Sequence, residues 1–132
     1  MRRVLPLLML MLAPPLAGCA AQAAGSAQLA GSNWRFVTID GEAPISQAAK
    51  LTFEDGRIGA NVGCNAMGGE WRIEDGRLIA GPLMQTRMFC EGKLGEQEQA
   101  IGALLVAAPE LALDEAWLEL RSHGHSARLE RL

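Results

Sequence analysis

The sequence predicts an α+β domain, mainly β, in which about eight short strands surround one helix and the sheet edges are closed or covered. Three observations carry that reading. Short runs of aromatic, β-branched or alternating apolar residues recur from Trp34 to Leu132, divided by turn residues. Two of the turns are Asp-Gly pairs in nearly the same setting, Phe53-Glu-Asp-Gly-Arg-Ile58 and Ile73-Glu-Asp-Gly-Arg-Leu78. One stretch alone, between Cys90 and Pro109, switches to helical spacing.

Taken in order, Trp34-Arg35-Phe36-Val37-Thr38-Ile39 reads as the first strand, ended by Asp40-Gly41. Leu51-Thr52-Phe53-Glu54 alternates apolar and polar residues, turns at Asp55-Gly56 and returns from Arg57 towards Val62. In the second hairpin Trp71 and Ile73 face inwards on one arm, Leu78 and Ala80 on the other. The echo covers too few positions for a repeat architecture and is turn chemistry used twice. Leu94, Ile101, Leu104, Leu105 and Ala108 then share one face of a helix over about residues 92–108, opened at Gly92 or Lys93 and stopped by Pro109. Its polar run from Glu96 to Gln99 places acidic side chains towards the positive end of the helix dipole. The tail returns to strands through Leu111 and Leu113, then Trp117, Leu118 and Leu120, then Ala127 and Leu129, with residues 122–126 as a hairpin tip.

The chain's 132 residues suit one domain, and an address precedes it. Arg2 and Arg3 lead an apolar stretch from Val4 to Leu16, shorter than the ~20 residues of a bilayer span and broken by Pro6, Pro14 and Pro15. Residues 1–18 therefore read as a signal peptide. Leu16-Ala17-Gly18-Cys19 resembles the lipobox of bacterial lipoproteins, which implies diacylglycerol on the Cys19 thiol, cleavage before it and an acylated amine. An ordinary signal-peptidase site beside a chance cysteine is the alternative. Ala20, by resemblance to enterobacterial sorting, implies the outer membrane, with the domain facing the periplasm. After Cys19 the small polar run to Ser32 reads as a flexible tether, so that 19–32 is the lipidated segment and 33–132 the folded domain.

Net charge is −3, and −5 once Arg2 and Arg3 leave with the leader, which excludes a general electrostatic claim on nucleic acid. Catalytic chemistry is thin. His123 and His125 would share one side of a continuous strand and begin a metal site, but Gly124 between them points to a turn with both rings in water. The acidic pairs Glu54-Asp55 and Glu74-Asp75 belong to turns, where solvation accounts for them. No Gly-x-Ser-x-Gly elbow and no phosphate-cradling glycine loop is present. No metal, cofactor or enzymatic activity is expected. With Cys19 lipidated, Cys64 and Cys90 remain in a compartment that permits disulfides; bonded, they would close a 26-residue separation, and two free buried thiols are the alternative.

The unusual segment is Gly63-Cys64-Asn65-Ala66-Met67-Gly68-Gly69, followed by Thr86-Arg87-Met88-Phe89-Cys90. Gly63 and Gly68 would allow tight turns, and the Asn65 amide would cap exposed backbone groups. A Trp-led strand, Leu-x-Phe at 51–53, Gly-Cys-Asn with a glycine after it, Thr-x-Met-x-Cys at 86–90 and Glu96 on a helix resemble, in that order, the META domain of HslJ-type heat-shock lipoproteins. The resemblance covers residues 33–132. Phe89 departs from it, standing where the family usually has alanine, and Trp71 stands for a tyrosine.

That resemblance implies an antiparallel, partly open β-barrel with one helix and no established catalysis. It implies links to envelope stress, antibiotic tolerance, motility or secretion. It implies a Cys64–Cys90 bridge, with Asn65, Thr86, Arg87 and Met88 forming or flanking a binding site. The expected function is a monomeric, non-catalytic outer-membrane lipoprotein that binds an envelope protein. The alternative is a carrier of an acyl chain or other small apolar ligand in its barrel.

Overall fold

A computed structural model describes residues 25–132. The expected signal peptide at 1–18, the expected lipidation site Cys19 and the expected tether up to residue 24 lie outside the described residues. The chain runs through a helical segment, α1 (residues 25–29), then β1 (Asn33–Ile39), β2 (Lys50–Phe53), β3 (Arg57–Asn61), β4 (Ala66–Glu74), β5 (Arg77–Ala80) and β6 (Met84–Gln85). A helix, α2 (Gly92–Val106), precedes β7 (Glu110–Leu113), β8 (Trp117–Arg121) and β9 (Ser126–Arg131).

Eight strands close an antiparallel ring in the order β1-β2-β3-β4-β5-β7-β8-β9, β9 returning to β1. The long strand β4 makes the closure possible. Its first half pairs with β3, Asn61↔Ala66 to Arg57↔Glu70, and its second half with β5, Trp71↔Ala80 to Glu74↔Arg77. The expected partly open barrel therefore has no gap. Its thinnest junction is β5–β7, with one paired position, Arg77↔Glu110, flanked by Leu78 N–H to Pro109 O and Leu111 N–H to Gly76 O, both 3.0 Å.

Alternation along the strands fills the ring. Trp34, Phe36, Leu51, Phe53, Ile58, Leu78, Leu118, Leu120 and Leu129 are buried, with Trp71 and Ile73 packed against them. Each such large apolar side chain contributes about 1.5–3 kcal/mol. Both Asp-Gly turns form as expected, Gly56 and Gly76 taking positive φ. The ninth strand, β6, was not expected. It continues past β5 along β4, where Gly68 pairs with Met84, and the Gly81-Pro82-Leu83 segment carries one extra residue at the junction. Gly69 leaves room for this, since a Cβ there would lie 2.7 Å from the Pro82 oxygen.

The tether reading fails for its second half. Residues 25–29 are helical, and Leu29 is wholly buried in the core. Gly31 N–H donates to Phe53 O at 2.8 Å, and Trp34 Nε1 to the buried Ser32 hydroxyl at 2.7 Å. Arg131 lies over the Trp34 ring at 4.5 Å and donates to Gln28 O and Glu115 O. A single leucine among small and polar residues gives no periodicity, yet it is enough to plug one end of the ring.

Helix α2 covers the opposite end and packs against β5 and β1. Of the predicted stripe, Ile101, Leu104 and Leu105 are buried and Leu94 is half-buried, whereas Ala108 falls beyond the helix. It stops at Val106, because Ala108 adopts φ 51° before Pro109. Starting at Gly92, the helix has no acidic residue in its first turn, so the dipole reading of Glu96–Gln99 is replaced by the contacts described below. Among the described residues no helix is long and apolar enough to cross a membrane.

Candidate functional site

The site forms where the β3–β4 connection meets the segment after β6 and the first turns of α2. Asn61 Oδ1 accepts the Gly63 N–H at 2.8 Å, and Gly63 adopts φ 126°, a conformation that L side chains rarely take. A Cβ there would also meet Ser46 Cβ at 2.7 Å. Gly68, in contrast to the expected turn, sits within β4. The tight turn delivers Cys64 to Cys90, and the two are disulfide-bonded with Cα atoms 6.3 Å apart. The free-thiol alternative is thereby set aside.

Next to the bridge, Asn65 is 2% exposed and uses both ends of its amide. Its Oδ1 accepts from the Met88 N–H at 2.7 Å and the Thr86 hydroxyl at 3.1 Å. Its Nδ2 donates to Met88 O at 2.9 Å and to Glu98 Oε2 at 2.9 Å. The Thr86 hydroxyl also accepts the Ala66 N–H at 3.0 Å. Asn65 thus acts as an extra rung that prolongs the β4–β6 ladder beyond its last paired residues.

Glu98 anchors the cluster from α2. It is 6% exposed, and its carboxylate accepts the Asn65 backbone N–H at 2.6 Å, the Asn65 amide, and Gln85 Nε2 at 3.2 Å. No Lys or Arg among the described residues forms an ion pair with it. A buried carboxylate without a cation is tolerated only where several donors converge on it, as they do here. The neighbouring Gln97 is buried too, accepting the Ile45 N–H at 2.9 Å and donating to Ala43 O at 3.0 Å, which ties the 40–49 loop to the helix. Cys64, Cys90 and Glu98 offer ligand atoms within 4.8 Å of one another, but disulfide sulfurs are not thiolates, and this set suits no metal while the bridge stands.

Outside the cluster lies a groove of about 440 Å³, lined by Gln85, Thr86, Arg87, Met88, Phe89 and Gln99 among others. Phe89 is 87% exposed on its rim and Met88 61%, with Met84 of β6 also in water. Arg87 is exposed on the same wall. The structure therefore brings together Cys64, Cys90, Asn65, Thr86, Arg87 and Met88, all singled out from sequence. It adds Glu98 and Gln97, read from sequence only as part of a polar run suited to the helix dipole, and Gln85 of β6, because an amphipathic stripe reveals nothing about a polar residue that finds buried partners.

The β8–β9 tip is a turn, with His123 exposed, but His125 is held: its Nδ1 lies 2.8 Å from Asp40 Oδ2, and Asp40 Oδ1 accepts the Ser126 N–H at 2.9 Å. Burial pushes the Asp40 carboxyl up, yet the Ser126 and His125 contacts outweigh it and hold the group below its ordinary value of 3.8.

The family model described as META domain matches residues 27–132. No curated protein matches the chain. Among solved structures, the fold is similar to a protein determined by NMR, with TM-score 0.70 and 22% identity over 80% of this chain and 92% of that one. It is also similar to an NMR structure of a protein from Burkholderia xenovorans, with TM-score 0.66 and 25% identity over 83% of this chain and 87% of that one.

Proposed function

The chain belongs to the META domain family, matched over residues 27–132, and on that premise we propose that it works as a non-catalytic outer-membrane lipoprotein that binds a protein partner in the envelope's response to stress. One observation carries the reading: Phe89 stands 87% exposed beside Met88, on a segment fixed by the disulfide and by Asn65. An aromatic ring held in water gains nothing from the fold of the free domain, whereas aromatic anchors dominate binding energy at interfaces. Fixing the segment beforehand lowers the entropy lost on association.

Other features support the same reading. Asn65, Thr86 and Glu98 spend their hydrogen bonds on one another, so the site is built for shape rather than for proton transfer. The lipobox-like Leu16-Ala17-Gly18-Cys19 supports a lipid anchor. The carrier reading loses support because Trp34, Leu51, Phe53, Leu118, Leu120 and Leu129 occupy interior positions that an acyl chain would need.

A photo-crosslinking residue at position 89 of the lipidated protein, in its own envelope, tests the proposal, with position 123 as control. A protein adduct specific to 89 is expected. A lipid-sized adduct would favour the carrier, and equal yields at both positions would defeat the interface. Separately, Cys19→Ser should release the protein from membranes after a salt wash; retention would remove the anchor.

A further inference from the structure

We infer that the domain stands with its α1 end against the bilayer and holds the Phe89 groove out into the water, so that the groove's partner is a protein approaching from the aqueous side. This rests on the lipid anchor at Cys19 proposed above. Gly25 is six positions beyond Cys19, and six residues reach about 20 Å at full stretch. Gly25 is itself on the barrel, where a Cβ would lie 3.2 Å from Ile73 Cδ1 near the end of β4. The acyl chains must therefore enter the bilayer close to that end.

The two ends of the barrel are distinct. At the α1 end lie the β2–β3, β4–β5 and β7–β8 turns, tied to α1 by Gly31 N–H to Phe53 O and by Arg131. At the other lie α2, the Cys64–Cys90 bridge and the β8–β9 tip. The seven residues of β1 rise ~3.3 Å each, which at a barrel tilt of about 40° is roughly 18 Å of wall, with α2 beyond it. The helix adds about 10 Å to that wall, and together they exceed the reach of residues 19–25. The groove cannot meet the headgroups.

The near end is kept by the bilayer through the short tether and does not enter it. Its three turns carry Glu54-Asp55, Glu74-Asp75 and Asp114-Glu115, all exposed. Leu29 plugs the ring behind them, so lipid tails find no opening on that side.

The test places a fluorophore on Asp55→Cys or His123→Cys in the full, lipidated and oxidised protein, bound to phosphatidylcholine vesicles carrying a headgroup nitroxide as a short-range quencher. Flotation of the vesicles is checked first. Quenching at 55 should exceed that at 123 by at least about twofold, and a long Gly/Ser insertion after Gln22 should erase the difference, because the reach then exceeds the wall. Flotation with equal quenching, or stronger quenching at 123, overturns the orientation alone. Failure to float overturns the lipid anchor and the orientation with it.

Discussion

Replacing Asn65 with alanine removes four hydrogen bonds to oxygen and nitrogen groups at once, with a weaker one from Nδ2 to Cys90 Sγ at 3.4 Å, and is the sharpest test of the site. Three of them, with the Met88 N–H, the Met88 carbonyl and the Thr86 hydroxyl, join neutral groups and contribute ~1 kcal/mol each. The fourth reaches the Glu98 carboxylate and contributes ~2 kcal/mol. Their sum is an upper limit, because Met88 lies at the surface and water can replace part of what its backbone loses. A loss of about 3 kcal/mol is expected, or about 10–20 °C in melting temperature for a domain of this size. Urea unfolding of the oxidised protein, with the disulfide verified intact, gives the number. Asn65→Asp should be at least as damaging, since it replaces the amide donor with a second acceptor facing the Glu98 side chain. A loss below about 1 kcal/mol for Asn65→Ala would mean that the network does not hold the segment.

Removing the bridge with Cys64→Ser and Cys90→Ser should cost about 3.5 kcal/mol for its 26-residue separation, and less than additively with Asn65→Ala, both read by denaturant titration. Leu29→Ala should cost about 2–5 kcal/mol, whereas Gln28→Ala, which leaves the backbone contact to Arg131, should be near neutral in the same melts. Gly95→Ala should destabilise despite alanine's ~1 kcal/mol helical advantage, because the new Cβ collides with the Cys90 carbonyl; a stabilised variant would contradict the packing. Asp40 has a lowered pKa in the folded state, so its contribution is present above 3.8, the unfolded value, and disappears as pH falls through the lowered one. Asp40→Asn should therefore flatten the acid limb of a stability–pH profile below pH 3.8 and weaken stability at neutral pH; an unchanged acid limb would refute the coupling.

Much of the barrel is legible in the chain because its signals are local. Asp55-Gly56 and Asp75-Gly76 fix two hairpins, and alternation around Leu51, Phe53 and Leu118 fixes which face turns inward. Legibility fails where the partner is distant in sequence and the residue type is ambiguous. Glu98 is read only as part of a run suited to the helix dipole until Asn65, 33 positions earlier, supplies two donors to it. Leu29 is read as part of a tether until Phe53, Trp34 and Arg131 are seen around it. The two-residue β6 carries no alternation at all; it exists because β4 extends beyond the last β5 pairing and leaves Met67 and Gly68 to be matched. Within the site, Cys64, Cys90 and Asn65 are legible as a group from the Gly-Cys-Asn and Thr-x-Met-x-Cys blocks, but not the carboxylate that holds them.

That carboxylate explains why the site keeps one shape. A buried charge with no cation costs several kcal/mol unless its donors stay in place, so any motion that withdraws Asn65 exposes the full penalty. Asn65 in turn holds Met88 by both its N–H and its carbonyl, which fixes the backbone immediately before Phe89 and Cys90. An apolar core residue in place of Glu98 would pack without demanding any particular partner. The acid makes the position of residues 86–90 conditional on one arrangement, and the disulfide keeps the unfolded alternatives few. Conformational freedom is thus removed at the segment that carries the exposed ring, and less would remain to be lost if the proposed partner covers it. If the proposed interface holds, loosening the segment by Asn65→Ala should lower the crosslinking yield at position 89 although Phe89 itself is unchanged, chiefly through faster dissociation, and an unchanged yield would refute the pre-ordering.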